Sequence, residues 1–166
     1  MKVIFLDIDG VLNSDTYMEK QLDNSSEGIE SEIDPATLIL LKKAVDTTGA
    51  KIILSSSWRI MRKYNELEKF LMKFGISSSG KTPYVDGKRG LEIKQYLSEN
   101  KNIEQYLILD DEIFESFDEE LVNHLILTKS DQNYHGFSEG LTEKHIKQIV
   151  ETFGKVHKRE KFDEER

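Results

Sequence analysis

The sequence predicts an α/β fold, a parallel sheet covered on both faces by helices. Three observations predict it. Short apolar runs of strand length alternate with longer segments whose apolar residues recur at helical spacing. The runs are apolar throughout, as strands buried on both faces are. Three of the four runs end abruptly in polar residues capable of chemistry, which a parallel sheet would gather along one edge. The 166 residues fit one compact domain. Residues 1–153 are assigned to it and residues 154–166 to a charged tail.

Taken in order, Lys2–Leu6 is the first run, ended by Asp7-Ile8-Asp9-Gly10, and reads as a buried strand entering a turn. Residues 15–31 are polar and unpatterned, and read as a loop or small flap. Asp34 followed by Pro35 is a helix N-cap with proline at the first helical position. Leu38, Leu41 and Val45 continue that helix and Gly49 stops it. Lys51–Leu54 is the second strand, running into Ser55, Ser56 and Ser57. A helix over 61–74 carries the stripe Tyr64, Leu67, Leu71 and Phe74, and Gly75 ends it. Residues 80–90 read as a loop and 91–98 as a helix with Ile93 and Leu97 inward. Residues 106–109 are the third strand, ending in Asp110 and Asp111, and Leu125–Leu127 is the fourth. Thr142 caps a last helix with Ile146, Ile149, Val150 and Phe153 on one face.

Composition narrows the function. No stretch approaches the roughly 18 to 20 apolar residues of a membrane span, and the first residues do not read as a signal peptide. With no cysteine, thiolate chemistry and disulfides are excluded. These features lead us to expect a cytoplasmic protein. The formal net charge of −8 gives no broad attraction to nucleic acid, so an anionic substrate would need a cation or a local basic group.

The strand-end residues define that chemistry. Asp7 and Asp9, two apart on an extended segment, point the same way. Two neighbouring carboxylates repel, and a divalent cation with a preference for hard oxygen ligands relieves this; magnesium on Asp7, Asp9, Asp110 and Asp111 fits. A carboxylate so placed can serve as nucleophile and form an aspartyl-phosphate, while a second protonates the leaving oxygen and then activates water. Ser55 offers a hydroxyl at the second strand end, with Ser56 beside it. Lys88 or Arg89 brings positive charge to the phosphoryl oxygens. Trp58 and Arg59 follow the serines, where a ring could stack on a base and a guanidinium pair with a neighbouring phosphate.

Each element also has a bland explanation. Asp-x-Asp-Gly serves as turn chemistry, Asp110-Asp111 as a cap, and the serines as a simple turn. Lys88 and Arg89 serve as solvated charges, Trp58 as core, Arg59 as a surface charge, and Asp118-Glu119-Glu120 as a solvated face. The four histidines show no ligand spacing and read as structural or exposed. What argues for a site is that the strand ends agree with one another.

These segments resemble the haloacid dehalogenase (HAD) superfamily. Residues 5–13, FLDIDGVLN, resemble its first motif, IILSSSWR its second, and YLILDDE its fourth. More narrowly, the chain resembles the HAD domain of Swiss-army-knife RNA repair proteins. That group shares a Trp-Arg after the second strand, the pattern Arg89-Gly90-Leu91-Glu92-Ile93 and a late Gly140-Leu141-Thr142. The resemblance implies a three-layer, Rossmann-like fold with no large cap. It implies a magnesium-dependent phosphatase with Asp7 as nucleophile and Asp9 as acid/base, and metal on Asp7, the Asp9 carbonyl and Asp110. The third motif departs from the superfamily's usual lysine, and the group's pattern favours Arg89 over Lys88. The expected substrate is a phosphorylated small molecule or a nucleic-acid end. Competing readings are a small-metabolite phosphatase, a dehalogenase, a receiver-like signalling domain and a phosphate-binding module without catalysis.

Overall fold

A computed structural model describes residues 1–24, 27–61, 64–129 and 138–164, with side chains through residue 154. These residues form one five-stranded sheet, all parallel, of β1 (Lys2–Leu6), β2 (Lys51–Leu54), β3 (Ser78–Lys81), β4 (Gln105–Asp110) and β5 (Leu125–Leu127), in the order β3-β2-β1-β4-β5. The helices are α1 (Asp15–Leu22), α2 (Pro35–Thr48), α3 (Tyr64–Lys73), α4 (Arg89–Glu99), α5 (Glu119–Asn123) and α6 (Glu143–Glu164). Among the described residues no helix is long and apolar enough to cross a membrane.

The central strand explains the layering. Alternate residues of β1 face opposite sides, and all of Val3–Leu6 is fully buried. Ile4 and Leu6 join Leu38 and Leu41 of α2, Leu67 and Leu71 of α3, and Ile146 and Ile149 of α6 on one face. Val3 and Phe5 meet Ile93 of α4 and Leu121 of α5 on the other. There the Phe5 ring lies edge-on between Tyr96 and Tyr106, at 5.7 and 5.9 Å. Burying each large apolar side chain stabilises the fold by about 1.5–3 kcal/mol. α2 begins and ends as its sequence dictates: the Asp34 carboxylate accepts from the Ala36 N–H, and Gly49 closes it in the left-handed region.

Several elements differ from the sequence reading. Residues 15–31 are not a plain loop. They hold α1, capped by the Ser14 hydroxyl, and a 3-10 turn at Ile29–Ser31. No residue of α1 is buried, so no apolar stripe announced it. The helix expected over 61–74 is present as α3, Tyr64–Lys73, and is preceded by a 3-10 turn at Ser57–Ile60 that the sequence reading did not place. The supposed loop at 80–90 begins inside a fifth strand: β3 is an edge strand of Ser, Ser, Gly and Lys, held to β2 by its backbone ladder. α4 starts at Arg89 rather than 91. Asp118, read as part of a solvated acidic face, caps α5 and pairs with Lys94. The backbone of residues 154–164, assigned to the tail, continues α6. No large cap domain is inserted among the described residues.

Candidate active site

Backbone ladders carry the strand ends side by side. Leu6 aligns with Leu54 and with Leu109. The pairing continues one residue further, with the Asp7 N–H donating to Leu109 O and the Ser55 N–H to Leu6 O, both at 3.0 Å. The carboxylates of Asp7, Asp110 and Asp111 therefore converge, one oxygen from each lying within 4.8 Å of the others.

Arg89, the first residue of α4, reaches into this cluster. Its Nη1 lies 2.6 Å from Asp110 Oδ2 and 3.2 Å from Asp7 Oδ1. Its guanidinium rests on the Phe114 ring, 4.6 Å from the centroid. Burial raises the Asp7 carboxyl above the ordinary carboxylate range, with Arg89 the main opposing influence. Burial also pushes Asp110 up, to about 8, and repulsion from Asp7 adds to it. One guanidinium does not satisfy the cluster. Three converging hard oxygen donors, of which Asp7 and Asp110 resist charging, fit a small divalent cation.

The turn after β1 is built to admit this convergence. Gly10 has φ +77°, and a Cβ there would stand 2.2 Å from Asp111 Oδ2, so only glycine fits. Thr128 Oγ1–H donates to Gly10 O at 2.7 Å, and Ser138 Oγ–H to Asp111 Oδ2 at 2.7 Å.

Asp9 is held apart. Its side chain is exposed, with Oδ2 accepting from Trp58 Nε1–H at 3.0 Å and Oδ1 from Asn13 Nδ2–H at 3.3 Å. Asn13 Oδ1 accepts from the Gly10 N–H at 2.7 Å, which ties the whole turn together. The expectation of Asp9 as a side-chain metal ligand is corrected: its carboxylate lies outside the acidic cluster because Trp58 and Asn13 turn it elsewhere.

Four other expectations change. The Ser55 hydroxyl is fully buried with no hydrogen-bond partner among the described residues, whereas the Ser56 hydroxyl bonds Asp7. Of the two hydroxyls, that of Ser56 is the one that reaches Asp7. Trp58 is 4% exposed within the core, so it offers no face for a base to stack on. Arg59 is equally buried, and its five N–H donors meet five acceptors. These are the carbonyls of Thr82, Ser55, Ser56 and Pro83, and Glu92 Oε2 at 2.7 Å. No donor is left for a phosphate. Lys88 is exposed, and its side chain pairs with no described residue.

Asn13, Glu92 and Ser138 are missed by sequence reasoning. Asn13 lies inside the first motif, where its spacing from Gly10 could have marked it as a turn-locking amide. Glu92 and Ser138 act across 33 and 27 positions of chain from Arg59 and Asp111, with no local signal. His145 is buried and its Nδ1 accepts from the Thr142 N–H at 3.0 Å, a structural role. His135 and the side chain of His157 lie outside the described residues.

A sequence profile of the family described as the HAD domain in Swiss Army Knife RNA repair proteins matches residues 3–146. No curated protein and no solved structure gives a significant match.

Proposed function

Since the chain belongs to the HAD domain family of Swiss Army Knife RNA repair proteins, we propose that it is a magnesium-dependent phosphomonoester hydrolase acting through an aspartyl-phosphate on Asp7. The observation that carries this reading is the division of labour among the acids. Asp7 sits buried among carboxylates under Arg89, while Asp9 is held separately by two donors facing solvent.

Asp7, Asp110 and Asp111, with the Asp9 backbone carbonyl, would hold the metal. When bound it neutralises the clustered carboxylates and the incoming phosphate, letting one anion approach another. Asp7 donates an oxygen lone pair to phosphorus as the bond to the leaving oxygen breaks. Asp9 gives that oxygen its proton. Asp9 then takes a proton from water, whose oxygen attacks the phosphoryl group and frees the Asp7 carboxylate and inorganic phosphate. The Arg89 guanidinium and the Ser56 hydroxyl stabilise charge on the phosphoryl oxygens. Keeping Asp9 distinct from the metal carboxylates suits a proton-transfer role, and a dehalogenase would need no such group for a departing halide.

For the substrate we propose a terminal phosphate of RNA. The family description supports this, and no large cap is inserted among the described residues. The net charge of −8 confines any attraction to local contacts. The test is turnover of p-nitrophenyl phosphate with magnesium, compared with EDTA and with Asp7→Asn. Loss of turnover in both, with an acid-stable phosphoryl group recovered on Asp7 of the wild type, is expected. Near-native activity of Asp7→Asn would sink the covalent mechanism.

A further inference from the structure

A cleft of about 440 Å³ opens beside Arg89, lined by Gly87, Lys88, Leu91, Phe114, Glu115 and Ser116. Its size is that of a small-molecule site, roughly 300–1,000 Å³. It shares one residue with the acidic cluster: Arg89 lines the cleft while its Nη1 contacts Asp7 and Asp110. A smaller recess of about 80 Å³ shares Arg89 and Phe114 and adds Ile60 and Tyr84, 57% and 63% exposed.

The larger cleft has a particular chemistry. Phe114 and the 42% exposed Leu91 give it an apolar wall. Ser116 and Glu115 add polar groups at the same wall, with Ser116 Oγ also accepting from the Gly90 N–H at 2.9 Å. Lys88 adds a cation that pairs with no described residue. A solvated lysine is unremarkable by itself. This one directly precedes Arg89, so two consecutive residues place one cation on the acidic cluster and another on the cleft that Arg89 also lines. A sugar phosphate would leave the apolar wall uncovered and Lys88 without an anion. A mononucleotide would cover the wall and still leave Lys88 without an anion.

We propose that this cleft seats the leaving group of the substrate. The nucleoside bearing the terminal phosphate lies against Phe114 and Leu91, and the next phosphodiester pairs with Lys88. The substrate is then an oligonucleotide with a terminal monophosphate, in preference to a free nucleotide. This assignment rests on the phosphatase reading above.

The experiment measures kcat/KM for wild type, Lys88→Gln and Leu91→Ser on three substrates: a dinucleotide with a terminal monophosphate, a mononucleotide and glycerol phosphate. Lys88→Gln is expected to lose about tenfold more on the dinucleotide than on the mononucleotide, and to lower the salt slope for the dinucleotide by about one. Leu91→Ser is expected to lose several-fold more on both nucleotides than on glycerol phosphate. Equal losses on all substrates, or none, overturn the subsite. If no phosphomonoester turns over with magnesium, the phosphatase reading fails instead. The subsite is then decided by equilibrium binding of a fluorescein-labelled, end-phosphorylated dinucleotide to wild type and Lys88→Gln. Binding that is absent, or indifferent to Lys88, overturns it.

Discussion

Replacing Trp58 tests whether its ring serves the chemistry or only the core. Trp58 Nε1–H donates to Asp9 Oδ2 at 3.0 Å, and Asn13 holds the other oxygen at 3.3 Å. The Asp9 side chain is otherwise exposed, so these two donors fix its orientation. A hydrogen bond to a charged group contributes about 1.5–3 kcal/mol. The solvent exposure of Asp9 places this one at the lower end, about 1.5 kcal/mol, or roughly a tenfold fall in kcat if the orientation matters only in the transition state. Deleting the acid/base group itself costs about 10² to 10⁴, so losing its holder should fall well short of that. Trp58→Phe also shrinks a core side chain that is 4% exposed. A substitution of that kind costs about 0.5–3 kcal/mol of stability, which lowers Tm by several degrees without unfolding the protein at 25 °C. A benzothienylalanine at position 58 separates the two effects, because it keeps the shape and lacks the N–H. The assay compares kcat for alkyl phosphates with kcat for p-nitrophenyl phosphate, whose leaving group needs little protonation. Both variants should lose about tenfold on alkyl phosphates and much less on the aryl ester. An unchanged alkyl rate in the benzothienyl variant, or an equal loss on both esters, refutes a role for Trp58 in positioning Asp9.

Three further outcomes are expected. Magnesium should raise Tm, since ligand at about 100 times its Kd stabilises by about 2.7 kcal/mol; a flat Tm across millimolar magnesium removes the metal from the site. Gly10→Ala should abolish that magnesium-dependent rise along with activity, because a Cβ at φ +77° meets Asp111 Oδ2 at 2.2 Å; a retained rise shows that the acidic cluster tolerates the displacement. Because the raised Asp7 and Asp110 work in the opposite sense, the contribution of His145 to stability is read as the difference between wild type and His145→Gln. That contribution should fall as pH drops below about 6.5, because burial, reinforced by Lys144, lowers the His145 pKa from 6.5. The unfolded chain then takes up a proton that the folded chain refuses, so this contribution is complete above the unfolded value and is lost down to the folded one. His145→Gln should remove that slope in urea titrations while keeping an acceptor for the Thr142 N–H.

How much of this was legible in the sequence follows from the range of the interactions. β1 and β4 are buried on both faces, and such strands must be apolar throughout, so their runs showed plainly. The acids followed, because a parallel sheet brings its strand ends to one edge whatever the strand order. β3 was invisible because an edge strand of Ser, Ser, Gly and Lys is held by its ladder to β2 and not by a buried face. The serines turned on a single residue. Ser55 still belongs to the ladder, its N–H bonded to Leu6 O, and its hydroxyl is buried; the chain turns only at Ser56, whose hydroxyl thereby reaches Asp7.

The two arginines present the same difficulty at longer range. Arg59 sits in a short helical turn just past β2 and Arg89 opens α4, and local sequence gives both a claim to a phosphate. Burial decides between them. Arg59 shares its buried environment with Glu92, 2.7 Å away, and the two side chains are each 3% exposed. Turning Arg59 toward a substrate would strand a buried carboxylate, and breaking such a pair costs about 3–5 kcal/mol. It would also free four backbone carbonyls. Arg89 faces no comparable cost. Its partners, Asp7 and Asp110, are carboxylates that repel one another and suit a divalent cation, so a cation there would satisfy them while Arg89 turned to a phosphoryl group. The cation proposed to face the phosphate is thus the one whose present partners can be satisfied without it, a property fixed by residues 33 positions away in one case and 82 and 21 in the other.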